Sequence, residues 1–264
     1  MFNYSFKPGF KEKICLFREY GFEYIHWCDD WDNNIIYSDE EIITFKQITK
    51  DFGIICQDVH GTSTPKYRID SLDPEDRKGY LRLLKNRIKL CSELGGDCVV
   101  FHPPKIENED SSLKLEIAIE SLRSVESICN DLGIRLAIEN CYGGDEGLID
   151  QLLSRFDPDF LGICFDSGHA NIHGNFEASY INKKRLLATH LHDNKGDSDS
   201  HQIPFWGTVN WIKVIDLIVS SSFMKPLNLE VTYYKGISEG SMRDFLGLSQ
   251  FAAEKLLRMT AILR

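Results

Sequence analysis

RLAIEN (residues 135–140) and LGICFDSGHA (residues 161–170) are two short apolar runs, and each reaches a carboxylate at its end, Glu139 in the first and Asp166 in the second. Runs this short, bounded by glycine or polar turn residues, read as buried strands rather than helices. A strand that finishes on an acid aims that acid at one end of a sheet, and His169 follows Asp166 by three residues. Other runs finish in the same way. FEYIHW ends near His26, GIICQDVH at His60, CVVFH at His102, LLATHLHD at His190 and His192, and LNLEVTY carries Glu230.

Between these runs lie stretches with helical spacing: residues 8–20, 39–51, 74–94, 109–132, 148–156, 176–184, 209–220 and 241–263. Asp73 and Pro74 supply a cap and a first-turn proline, glycines 21, 95 and 133 stand where helices should stop, and Gly53 opens the run GIICQDVHG. With a further short strand at residues 3–6, the chain reads as eight strand–helix units without a linker or low-complexity tract. Such alternation implies parallel pairing through right-handed crossovers. The expected fold is therefore a (β/α)8 TIM barrel, α/β class, in a single domain over residues 1–264. A doubly wound open sheet is the alternative. It should carry a glycine-rich phosphate loop after an early strand, and the sequence has none.

Composition narrows the partners. The chain of 264 residues is 42% hydrophobic and 27% charged, with a net charge of −10. The segments that follow the strand ends, CDDWDNN, ENEDSS, GGDEG and DNKGDSDS, are acidic, and Lys66, Arg68, Lys105 and Lys195 are the nearby bases. Such a surface repels a phosphate backbone, so nucleic acid is an unfavoured partner. The eight cysteines form no CxxC pair and several sit inside apolar runs, as reduced buried thiols do. Neither a signal peptide nor an apolar run of about 20 residues is seen, so the expected location is cytoplasmic, without a membrane partner.

Taken singly, a strand-end histidine reads as a hydrogen-bonded core residue and a strand-end acid as a helix cap. Taken together in a barrel mouth, several carboxylates would repel one another unless a cation stood between them. Imidazole with carboxylate ligands suits zinc, manganese or iron. The pattern from His60 to Glu230 resembles the xylose isomerase-like barrel superfamily, which holds sugar isomerases and epimerases together with the endonuclease IV class of abasic-site nucleases. The resemblance implies a divalent ion, Zn or Mn, held by Glu139, Asp166, His190 and Glu230. His190 is preferred to His192 because an acid, Asp193, follows it at the third position.

The nuclease branch implies up to three zinc ions and adds His60, His102, His169 with Asp166, and Asp199 with His201; every one of these residues is present. Phe205 and Trp206 depart from the family's small residues around a Gly-x-Gly. The resemblance thus implies a sugar or sugar phosphate isomerase or epimerase. In it Glu139 and Glu230 move a proton through an enediolate, and His192, His26 and Trp206 meet a small-molecule sugar, with His169 or His201 holding hydroxyls and Trp27 and Tyr233 as apolar walls. The alternative is a tri-zinc phosphodiesterase acting on abasic-site DNA, ranked second because of the acidic segments. A binding protein that keeps the ion without turnover is a third reading. Trp31 and Tyr37 read as loop-tip aromatics that cover the mouth or meet a second copy in a homodimer.

Overall fold

A computed structural model describes residues 9–28, 33–64, 66–105, 111–141, 146–232 and 242–264. The strand expected at residues 3–6, and Trp31 and Tyr233, lie outside the described residues.

Among the described residues six strands form one sheet: β1 (Tyr24–Trp27), β2 (Ile55–His60), β3 (Cys98–Phe101), β4 (Arg135–Glu139), β5 (Leu161–Asp166) and β6 (Leu186–His190). Every neighbouring pair is parallel and the spatial order is the sequence order. Each crossover therefore steps one strand along the sheet, which is the connectivity of a barrel wall and not of a doubly wound sheet. The run at 227–232 continues this wall. Leu229 bridges Leu191 in parallel, with Leu191 N–H donating to Asn228 O at 2.9 Å and Glu230 N–H to Leu191 O at 3.0 Å.

The helices α1 (Phe10–Glu19), α2 (Asp39–Phe52), α3 (Pro74–Glu93), α4 (Ser111–Leu132), α5 (Glu146–Ser154), α6 (Ser167–His173), α7 (Phe176–Ile181), α8 (Trp211–Ser220) and α9 (Met242–Leu263) flank the strands in the chain. β3, β5 and β6 are buried at every residue, so one face meets the helices and the other the interior. Leu84, Ile88 and Cys91 of α3 and Leu122, Val125 and Cys129 of α4 sink into the same core as Val99, Leu136 and Ile138. Ser38 and Glu41 make a capping box on α2, and Asp73 caps α3 ahead of Pro74.

Three local readings change. The run at 161–170 ends as a strand at Asp166, and residues 167–173 form α6, with Asp166 Oδ1 accepting from His169 N–H at 2.7 Å at its start and Gly174 closing the end in the left-handed region. The helix expected over 176–184 stops at Ile181, and a 3-10 turn, Lys183–Arg185, leads into β6. In the run at 186–193 the strand β6 ends at His190; Leu191 still bridges Leu229 in parallel, and Asp193 then bridges Gln202 in antiparallel sense. All eight cysteines are free, and only Cys15 is exposed. Among the described residues no helix is long and apolar enough to cross a membrane.

Candidate active site at the strand ends

Parallel register brings the acids together. Glu139 lies opposite Cys164, and Asp166 lies opposite His190. Asn140, the residue after β4, ties its strand to the next by accepting from Asp166 N–H at 2.7 Å and donating to Asp166 O at 2.9 Å. Glu230 enters from the neighbouring 227–232 run. Donor atoms of Glu139, Asp166, His190 and Glu230 all lie within 4.8 Å of one another, and the four residues are buried. His190 Nδ1 stands between two of the carboxylates, 2.7 Å from Glu139 Oε1 and 3.0 Å from Glu230 Oε2.

A second arc surrounds this group. His102 Nε2 is 3.1 Å from Glu139 Oε2 and His60 Nε2 is 3.6 Å from the same oxygen. His192 Nε2 is 3.0 Å from Asp166 Oδ1, and its backbone is pinned by Ser167, whose hydroxyl donates to His192 O at 2.8 Å and accepts its N–H at 3.0 Å. Gly168 is required beside it, because a Cβ there would lie 1.9 Å from His192 Cε1. Asp199 joins the outer histidines, with His201 Nε2 at 3.0 Å, His169 Nε2 at 3.4 Å and His192 Nε2 at 3.6 Å. The structure thus gathers Glu139, Asp166, His190, Glu230, His60, His102, His169, His192, Asp199 and His201 around one centre.

His26 sits at the edge of this group, its Nδ1 bonded to Asp58 and its ring 4.4 Å from that of His190. Trp206 does not join the network; it is 42% exposed on the turn after Ile203. Two other aromatic readings are corrected. Trp27 is no pocket wall, since strand alternation turns it opposite to His26 and onto Phe10 and Phe45, both at 4.9 Å. Tyr37 is no loop-tip aromatic; it is buried with the Arg87 guanidinium 4.5 Å from its ring centroid.

Asp58 and Asn228 were not singled out from sequence. Asp58 precedes His60 by two residues and so shares its inward face, which is the signal that marks it. Asn228 stands in the same relation to Glu230 and donates to Asp58 Oδ2 at 2.6 Å.

The electrostatics follow from burial opposed by neighbours. Burial would raise the carboxyls of Glu139 and Glu230, but His190 outweighs it, helped by His102 and His60 at Glu139 and by His201 at Glu230, and both acids are held well below the usual range. Burial would lower His190; Cys164, Glu230 and Glu139 together hold it well above an ordinary imidazole. His169 is lifted to about 10, against burial, by Asp166, Asp199 and Glu139, and His201 to about 9, against burial, by Asp199 and Glu230. His102 and His26 go the other way, lowered chiefly by burial. Three buried carboxylates around one imidazole, with His190 Nε2 and His169 Nδ1 lacking hydrogen-bond partners, form a donor set that fits a divalent cation. Oxygen and imidazole donors without a thiolate suit zinc or manganese.

The family described as xylose isomerase-like TIM barrel matches residues 16–250. The protein y4fM of Sinorhizobium fredii is 30% identical over 254 residues, covering 85% of this chain and 82% of that one. A Staphylococcus saprophyticus protein described as probable endonuclease 4 is 27% identical over 140 residues, 46% of this chain and 47% of its own. Among solved structures, a D-tagatose 3-epimerase-like protein superposes with a TM-score of 0.74 at 20% identity, over 96% of this chain and 92% of that one. An IOLI protein with a bound zinc atom gives 0.73 at 13% identity, over 97% and 95%. At these identities the structural likeness is one of fold.

Proposed function

The chain belongs to the xylose isomerase-like TIM-barrel family, and on that premise we propose that it is a divalent-metal-dependent isomerase or epimerase of a sugar or sugar phosphate. The observation that carries the reading is the buried group Glu139, Asp166, His190 and Glu230, with donor atoms within 4.8 Å of one another at the strand ends. Likeness of fold to a D-tagatose 3-epimerase-like protein and to a zinc-bound IOLI protein supports it.

These four residues would hold the ion. A bound divalent cation polarises a hydroxy-ketone and acidifies the adjacent C–H. Glu139 and Glu230 flank His190 from two sides and are held ionised, so one carboxylate can take the carbon-bound proton and the other return it, through an enediolate. His190 keeps both acids in place. His192 and His169, beside Asp166, and His201, beside Asp199, offer N–H groups to substrate hydroxyls.

The test is solvent exchange. Zinc- or manganese-loaded protein, given a panel of ketohexoses and their phosphates in D2O, should place one deuterium on a carbon next to the carbonyl, and chelator should stop it. Loaded protein that exchanges no substrate proton across the panel would overturn the reading. A phosphodiesterase reading is second, favoured by the outer donors His60, His102, His169, Asp199 and His201 around the same carboxylates and by the endonuclease 4 relative. Cleavage of abasic-site DNA without sugar exchange would put it first.

A further inference from the structure

The two oxygens of Glu139 face different neighbours. Oε1 stands with His190, 2.7 Å away, in the inner group. Oε2 turns outward, where His102 Nε2 lies at 3.1 Å and the Cys141 thiol at 3.5 Å. Phe101 pairs with Ile138, so His102 comes level with Glu139 on the neighbouring strand, and Cys141 follows Glu139 by two residues with its thiol on the same side. Donor atoms of His102, Glu139 and Cys141 all lie within 4.8 Å of one another. Two further contacts set the imidazoles for a cation. Ser63 Oγ is 2.9 Å from His102 Nδ1 and can accept its N–H, which turns Nε2 into a lone-pair donor. His60 Nδ1 is 2.7 Å from Gly61 O; a carbonyl only accepts, so a neutral His60 points the lone pair of Nε2 at the same Glu139 Oε2, 3.6 Å away. Lone pairs crowded on one buried carboxylate oxygen repel unless a cation stands among them.

We propose that Glu139 Oε2, His102 Nε2 and Cys141 Sγ bind a second divalent ion, a thiophilic one, with Glu139 bridging it to the inner site. Zinc bonds of about 2.0–2.2 Å to nitrogen or oxygen and about 2.3 Å to sulfur set N and O on one tetrahedral ion about 3.4 Å apart, and S and O about 3.6 Å. The 3.1 and 3.5 Å spacings fit that geometry. Binding releases the thiol proton to solvent, since only the thiolate ligates. The inner group has no sulfur and suits zinc or manganese, whereas a thiolate donor favours zinc over manganese or magnesium. His102 is also the more open ligand, its side chain 18% exposed against 1% for Glu139. The proposal does not depend on the sugar chemistry; of its three ligands only Glu139 belongs to the inner group.

The experiment titrates the full chain, stripped of metal by chelator, with cobalt(II) as wild type and Cys141→Ser, and counts bound metal by elemental analysis. Wild type should take at least two equivalents, one of them raising a thiolate-to-cobalt charge-transfer band in the near ultraviolet. Cys141→Ser should keep the inner equivalent, lose the band, and hold the outer equivalent more than about 10-fold more weakly. Wild type that stops at one equivalent or shows no such band, or a band that Cys141→Ser leaves unchanged, overturns the proposal and leaves the inner site standing. Wild type that binds no metal overturns the metal-dependent reading as well. Should Cys141→Ser not fold, X-ray absorption of zinc-loaded wild type decides: a sulfur neighbour at about 2.3 Å supports the thiolate, and nitrogen and oxygen neighbours alone overturn it.

Discussion

Replacing Asp193 by Asn tests how the loop beyond β6 is held. Asp193 is fully buried, and its two oxygens accept four N–H groups. Oδ1 takes Asn194 N–H at 2.9 Å and Val209 N–H at 3.0 Å. Oδ2 takes Phe205 N–H and the Trp211 indole N–H, both at 2.9 Å. In Asn one of these oxygens becomes an NH2, so two acceptor contacts turn into donor facing donor. Hydrogen bonds to a charged group contribute about 1.5–3 kcal/mol each. Losing two, with some relaxation, should cost about 3–4 kcal/mol. For a domain of this size each kcal/mol moves Tm by about 2–4 °C, so calorimetry should find a fall of about 6–16 °C. Urea unfolding should show a lower midpoint with an unchanged slope. Asp197→Asn, at an exposed site in the same loop, is the control and should stay within about 0.5 kcal/mol. A loss below about 1 kcal/mol at Asp193 would refute the view that its carboxylate anchors residues 194–211.

Three more outcomes are expected. Phe205 has φ of 75° and packs on Trp211 with Lys255 over its ring. A left-handed backbone costs a side chain about 1–2 kcal/mol, so Phe205→Gly should be more stable than Phe205→Ala by about 1 kcal/mol in urea unfolding; Ala at or above Gly would contradict the strain. In chelator-treated protein, His169 at about 10 and His201 at about 9 stabilise the fold below the unfolded value of about 6.5 and lose that contribution as pH rises through their folded values. Glu139 and Glu230, held low, contribute above about 4.5 and lose it on acidification, so Tm should peak between about pH 4.5 and 6.5. A Tm rising from pH 6.5 to 9.5 would refute this. Finally, burial pushes Cys98 up to about 12, and Cys15 alone is exposed, so a thiol reagent at pH 8 should titrate one cysteine quickly in the folded protein and all eight only on unfolding. More than one fast thiol would count against the packing.

Much of the architecture was legible locally. Short apolar runs ending on His, Glu or Asp name β2, β4, β5 and β6, and Ser38, Asp73 and the stop glycines mark helix ends. Glu139, Asp166 and His190 could be read because each stands at or near the end of such a run, and Glu230 because its run carries no other acid. α6 could not, since SGHANIH has no apolar stripe and is a helix only because Asp166 caps it. Trp27 was misplaced because neighbouring strand residues face opposite ways, and only pairing with β2 decides which faces in. Asp58 and Asn228 stand mid-run, where only their spacing of two from His60 and Glu230 marks them, and their contact with each other spans the barrel wall.

By itself, then, the sequence determined the βα alternation, the parallel barrel wall and the set of histidines and acids at its strand ends, because periodicity and strand termini are properties of consecutive residues. Only the tertiary structure decided which donors meet. The contacts of His190 with Glu139 and Glu230, of His26 with Asp58, and of Asp193 with Trp211 span 51, 40, 32 and 18 positions of the chain, counted from the residue numbers. Distances between such residues are set by strand register and by the packing of the wall, which no local stretch of sequence encodes.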